Sequence, residues 1–414
     1  MSHIQLHKVA GAAGLPPGER RGRGFRSWRA RWTAGIATAA AAGVCGALPL
    51  AAPAASAATA AFNGSPYPIQ MAFQANTGDL WEACTADSSG ECAGGQPVGL
   101  DPVDTGLAMA AGTSPSVAYT PAGHGTYEVA FQGSNGDLWT TGYYGTHDTG
   151  LRVMPGTSPA ITQTAAGEAQ FVIAFEDVDA ELVTYELTPT ITSYTATTTY
   201  LDLPMATNSS PAITPLPASG YEIAYQNSAG SVAVAGTDGT GSLGLGMKAD
   251  TSPAITLISG GYQIAFQANT GDLWVTGSSG TGNLGLGMQA GTSPSIAMIG
   301  DGALLIPPEL TSNYEIAFQA NTGDLWVTGS SGTGNLGPAM QPGTSPSIQG
   351  TQAITIATSG SPTTVTSGYT VAYQSSAGVL SFYDTLSGQD FSTGLGMDNS
   401  TSPGTAHGYP ASEY

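Results

Sequence analysis

Residues 262–288 read YQIAFQANTGDLWVTGSSGTGNLGLGM, and residues 314–340 read YEIAFQANTGDLWVTGSSGTGNLGPAM. In the first half Tyr262, Ile264 and Phe266 alternate with Gln263, Ala265 and Gln267, the period of two that marks a strand. Asn269-Thr270-Gly271 is a turn, because Asn tolerates and Gly prefers the positive φ of tight hairpins. Asp272-Leu273-Trp274-Val275-Thr276 reads as the return strand, rich in β-branched and aromatic residues. A Gly/Ser loop over 277–282 then leads to a short further strand ending at Met288.

Three markers of this unit recur along the chain. The AFQ-like strand ends at Gln74, Gln132, Glu176, Gln226, Gln267, Gln319 and Gln374. A Ser-Pro step occurs at Pro115, Pro159, Pro211, Pro253, Pro294, Pro346 and Pro403, and a Met closes the unit at Met109, Met154, Met205, Met247, Met288, Met340 and Met397. Each marker counts seven, with spacings from 41 residues (Gln226 to Gln267) to 58 (Gln74 to Gln132). A strand after Ser-Pro, such as Pro253 to Ile258, brings each unit to four strands. Four antiparallel strands in 40 to 50 residues make the blade of a β-propeller, so the expected fold is all-β with seven four-stranded antiparallel blades. A solenoid or a pair of sandwiches is the competing architecture. The first unit lacks its own Ser-Pro strand and the chain ends with a spare one, 401–408, which is expected to complete the first blade; residues 58–64 are the alternative donor.

Charge divides the chain. Seven of the nine basic residues lie in the first 31 positions, leaving only Arg152 and Lys248 beyond, whereas Glu19 is the sole acid of that early part. The remainder carries 28 acids against two bases, a formal charge of −26, which disfavours nucleic acid and anionic lipid surfaces as partners. A basic stretch, an uncharged Ala-rich run over 33–62 and Ala55-Ser56-Ala57 give the layout of a secretory signal peptide. The expected organisation is a signal peptide over 1–57 and one propeller over 58–414, secreted and free of the membrane after cleavage; a retained anchor is the other reading. Cys84 and Cys92 are then the cysteines of the mature chain and are expected to form a disulfide in an oxidising compartment, with two free thiols as the alternative.

The spacing Asn-x-Gly-x-x-Trp at 269–274 is similar to the Asp-box hairpin of sialidase-like propellers, with Asn in place of Asp. The whole unit resembles tachylectin- and tectonin-type lectin propellers and the seven-bladed fucose-binding lectins of bacteria and fungi. That resemblance spans nearly all of 62–408 and implies a non-catalytic carbohydrate-binding module with pockets between blades. Glycans or extracellular and cell-wall polysaccharides are the implied partners, and no cofactor is implied.

Trp81, Trp139, Trp274 and Trp326 are the leading candidates, because a sugar's apolar face stacks on an aromatic ring whose N–H can also donate. The plain alternative is that each ring only fills the gap between blades. Asp272 and Asp324 either accept sugar hydroxyls or satisfy the backbone of their own turn, and Asn283 and Asn335 can line a polar pocket. Units three, four and seven lack the Trp, so at most four units hold an aromatic site. Glu128, Glu222 and Glu315, which follow the Tyr of the second strand, are expected to be solvated strand-end residues. Asp177, Asp179 and Glu181 form an acidic turn that weakly suggests calcium, without the glycine and spacing of a calcium loop.

An enzyme is disfavoured by absence. A sialidase resemblance would bring three arginines, and only Arg152 is present; His124, His147 and His407 lie in different units. No nucleophile elbow or zinc motif occurs. A polysaccharide hydrolase or lyase needs only two carboxylates and so stays open, as does a protein-binding or adhesive surface propeller.

Overall fold

The alternating stretches form antiparallel ladders throughout. The computed structural model describes residues 69–85, 101–120, 126–164, 170–190, 193–217, 220–300, 310–355 and 364–407. The expectations for 1–57, Cys92, His124 and the alternative closing segment 58–64 fall outside these residues. Cys84 ends the third strand of blade one and is buried.

Twenty-eight strands make seven four-stranded antiparallel sheets, and no helix occurs among the described residues. Blade five shows the pattern. From the axis outward its strands are Ala254–Ile258, Gly261–Gln267, Asp272–Gly277 and Gly282–Gly287. Blade one is made of Gly404–His407, Ile69–Gln74, Asp79–Cys84 and Asp101–Ala108. The C-terminal strand therefore closes the ring, pairing Ile69 with His407 and Ala72 with Gly404. A glycine in this short strand has a steric reason: a Cβ on Gly404 would lie 2.6 Å from the Pro115 carbonyl oxygen of blade two.

The Ser-Pro marker turns out to be a fastener. Each serine's backbone N–H donates to the Oγ of the next: Ser114 to Ser158, Ser158 to Ser210, Ser210 to Ser252, Ser252 to Ser293, Ser293 to Ser345, Ser345 to Ser402, and Ser402 back to Ser114. All seven bonds are 2.8 to 2.9 Å long, and the circle is closed. Behind it, the innermost strands touch their neighbours all the way round. They enclose an axial cavity of about 290 Å³ whose wall includes Val117, Ile161, Ile255 and Ile296.

Between blades, apolar side chains from both neighbours interlock. Val234 and Met247 of blade four meet Ile264, Phe266 and Trp274 of blade five. The Met marker bridges outward to the next blade, Met247 to Ala268 and Met288 to Ala320. Unit two departs by one residue: Val153, not Met154, makes the bridge and is buried.

The Gln that ends each second strand ties its own turn to the chain leaving the blade. The Nε2 of Gln267 donates to the carbonyls of Gly271 and Met288 at 3.4 and 3.2 Å. Blade three is the exception. It carries Glu176 at this position and Ala180 at φ 61°, where blade five has Gly271 at φ 91°. A left-handed backbone costs an alanine about 1 kcal/mol relative to glycine. Ala180→Gly is therefore expected to stabilise the propeller by about 1 kcal/mol in urea unfolding. Ending the chain after Pro403, which removes the closing strand, should abolish the single cooperative transition; an unchanged transition would contradict closure by this segment.

Candidate functional site

The candidate residues of blades five and six meet on one face of each sheet. Trp274 lies opposite Phe266 on one side and Asn283 on the other, and Trp326 lies opposite Phe318 and Asn335. Directly opposed residues of an antiparallel pair share a face, so indole and carboxamide sit side by side near the outer rim. Asp272 joins them: its Oδ2 accepts from Asn283 Nδ2 at 3.0 Å and Thr270 Oγ1 at 3.2 Å. Blade six repeats this, with Asp324 Oδ2 accepting from Asn335 at 3.2 Å and Thr322 at 3.1 Å. Neither aspartate is shown capping its own turn backbone. Its bonds run to side chains of the turn and the fourth strand.

Asn283 and Asn335 are also tied down from behind. Their Oδ1 atoms accept the backbone N–H of Gly285 and Gly337, both at 2.7 Å. Gly285 has φ 70° and sits where the outer strand bulges. One carboxamide thus secures the bulge and presents its N–H to Asp272. The sequence reading missed two counterparts, Asp104 opposite Trp81 and Asp148 opposite Trp139. They accept from Gly106 and Gly150 in the same manner, both at 2.9 Å. Their signal was register: each stands two residues before the bulge glycine.

The tryptophans fill the gaps between blades. All four are half-buried, and each packs in the gap between its own blade and the one before. The indole N–H groups of Trp81, Trp274 and Trp326 are buried and unpartnered, so they point inward rather than toward a sugar at the surface. Trp139 is turned. Its Nε1 donates to Asn135 Oδ1 at 3.1 Å. This orientation needs Gly133, because a Cβ there would come 2.5 Å from Trp139 Cδ1 and Nε1. The other three units have alanine at that place and threonine where unit two has Asn135. Unit two also carries Arg152, which donates to Asp137 Oδ1 at 3.4 Å and to the Asn135 carbonyl at 2.9 Å.

In the acidic turn, Asp177 Oδ1 accepts the backbone N–H groups of Asp179 and Glu181, both at 3.0 Å. The turn thus occupies this oxygen itself, and no trio of His, Cys, Asp or Glu among the described residues is arranged to hold an ion.

No family model and no curated protein sequence matches the chain. Among solved structures it is similar to the lectin of Aleuria aurantia, described as a six-bladed propeller with a novel fucose recognition mode, at 15% identity over 69% of this chain and 96% of that one, TM-score 0.47. AofleA from Arthrobotrys oligospora is 13% identical over 72% of this chain and 90% of that one, TM-score 0.47. The lectin SapL1, in complex with alpha methyl fucoside, is 13% identical over 81% and 97%, TM-score 0.38.

The glutamates of the second strands are buried, contrary to expectation. Glu128, Glu222 and Glu315 are at most 1% exposed. Both faces of a blade are covered, so a strand-end residue next to the outer hairpin has no route to solvent. Each carboxylate caps that hairpin, accepting the backbone N–H of Tyr144, Asp238 or Ser331 at 3.1 to 3.2 Å. Gln263 does the same for Ser279 in blade five. Glu82 is buried between blades one and two and accepts from the Tyr127 hydroxyl. No ion pair to a cation relieves these acids; the one salt bridge among the described residues is Arg152–Asp137.

Burial therefore pushes these carboxyls up, Glu128 to about 8 and Glu222 to about 7. Glu176 rises to about 7 through burial and then the neighbouring Asp177 charge, and burial also raises Glu82 and Glu315. Their folded-state values exceed the ordinary 4.5, so folding takes up protons between that value and about 8. The stabilisation is complete below about 4.5 and is lost as the pH rises through 7 to 8. The melting temperature is accordingly expected to fall from pH 5 to pH 8. Glu176→Gln, which restores the Gln of the other six units, should raise it at pH 8 by an amount corresponding to roughly 2 kcal/mol and change it little at pH 4. A flat pH profile would contradict the neutral form of these buried acids.

Proposed function

We propose that this chain is an exported, non-catalytic, lectin-like propeller that binds carbohydrate at several rim sites between blades. One observation carries the reading. A half-buried indole, a turn aspartate and an Asn or Asp of the outermost strand recur on the same face in blades one, two, five and six. Packing alone accounts for a large ring in the gap. It does not account for the hydrogen-bonded carboxylate and carboxamide placed beside the rings of blades two, five and six at the exposed edge.

The chemistry suits hydroxyl-bearing rings. The indole offers an apolar plate, the carboxylate accepts from hydroxyl groups, and the carboxamide both donates and accepts. Mutual hydrogen bonds hold the polar groups in place before a ligand arrives, which lowers the ordering cost of binding. Each site is shallow, so affinity for a multivalent glycan comes from simultaneous engagement of several sites on one rigid ring. The buried glutamates are spent on capping loops and closing interfaces, which leaves them no part in acid/base chemistry at the rim. The strongly acidic mature chain, with cysteines suited to an oxidising compartment, supports work outside the cell.

The test is binding of the chain from about residue 58 to a broad glycan array, with fucosides among the neutral sugars and with free sugar as competitor. Replacing Trp274 and Trp326 together by Ala should lower glycan binding at least tenfold. The melting curve of the double variant should remain cooperative; outright unfolding would assign the rings to packing alone.

A further inference from the structure

Three of the seven junctions between blades share an arrangement that the others lack. Where blade seven meets one, four meets five and five meets six, the last residue of the outermost strand is Gly396, Gly246 or Gly287. The turn of the next blade faces it with Asn76, Asn269 or Asn321. The backbone N–H of each asparagine donates to the carbonyl of its facing glycine, at 3.1, 3.2 and 3.1 Å. Its carboxamide then lies over bare glycine. A Cβ on Gly396, Gly246 or Gly287 would stand 2.6, 2.9 or 2.7 Å from the asparagine Nδ2. At three other junctions the corresponding bond joins Ser134 to Ala108, Ser228 to Pro204 and Ser376 to Ala339, with no carboxamide and no glycine.

A second feature, independent in sequence, singles out the same three junctions. Their tryptophans, Trp81, Trp274 and Trp326, are the ones whose N–H points inward, whereas Trp139 is held against Asn135 by its own turn. Asn76, Asn269 and Asn321 are exposed, and their carboxamides make no hydrogen bond to the described residues. No cation recurs beside them: the residue after the bridging Met is Lys248 at one junction, Gln289 at the second and Asp398 at the third. A free carboxamide, a carboxylate two residues before an indole, and no repeated positive charge suit an uncharged ligand with adjacent hydroxyl groups. An anionic sugar would meet an aspartate without compensation.

We propose that these three junctions, and not all four tryptophan blades, are the ligand sites, each taking a neutral pyranose. Asn76, Asn269 and Asn321 determine specificity by pairing with its hydroxyls, and the facing glycine sets their reach. This rests on the carbohydrate reading above.

The experiment is a stoichiometry measurement by native mass spectrometry and calorimetry, using a neutral monosaccharide or disaccharide that scores on the array. Three equivalents are expected to bind. Asn76→Ala, Asn269→Ala and Asn321→Ala should each remove one equivalent with an unchanged melting curve. Asn321→Asp, which keeps the shape but loses the donor, should weaken its site at least tenfold, and Ser134→Ala and Ser228→Ala, at junctions without the carboxamide and the glycine, should leave the count at three. Four equivalent sites, or asparagine variants that still bind three, would overturn this assignment while leaving a lectin. Binding of acidic sugars alone would overturn the neutral class. A blank across neutral and acidic glycans from folded protein would overturn the carbohydrate reading and this inference with it.

Discussion

Seven hydrogen bonds around the axis, each from a serine N–H to the next serine's Oγ, set the terms for everything outside them. A single bond of this kind is worth about 1 kcal/mol. Its importance lies in topology, since a circle is complete only when every member is present. Proline after each serine fixes the backbone as it enters the innermost strand, and those strands then stack side by side. The spacing of the blades follows, and with it the width of the gaps into which Phe266, Met247 and Trp274 must fit. The last member, Ser402, comes from the C-terminal segment, so the same few residues complete both this circle and the sheet of blade one.

The architecture was legible because it is written three times over, in the AFQ strand, the Ser-Pro step and the Met. Repetition makes the number of blades and the closing segment readable in the sequence. The fine placement of polar groups was not. Glu128, Glu222 and Glu315 look like strand-end residues in one dimension, and only a neighbouring blade, which is distant in sequence, covers them. Met154 illustrates a different limit. The letter recurs, but the buried bridging position is Val153, because unit two carries Val there and its Met one residue later. Of the rim residues, Trp274, Asp272 and Asn283 could be named from the repeat. Asp104 and Asp148 required the pairing register, and the orientation of Trp139 required knowing that Gly133 leaves room for it.

The polar rim and the core are made of the same residues used on two sides. One edge of each indole seals the gap between blades and another is left at the surface. Asn283 fastens a bulge with its oxygen and meets Asp272 with its nitrogen. This economy ties the polar groups of the rim to the packed interior, so their positions are fixed by the fold itself. Changing Ala to Gly and Thr to Asn in the turn of unit two reorients the ring without moving its strand.

Blade three collects the departures. It has Glu176 for glutamine, Ala180 for glycine, Asp202 at φ 54° on its outer strand, and, on the way to blade four, Ser209 with a buried unpartnered Oγ. A closed ring is often pictured as weakest at its seam, where the two ends of the chain meet. Here the seam holds one non-glycine in the left-handed region, Ser400 at φ 69°, whereas blade three holds two and adds the buried Glu176. Amide hydrogens around Glu176 and Met205 should therefore exchange with solvent sooner than those beside Gly404, and a protease would find its first opening in the third stave of the barrel rather than at the join.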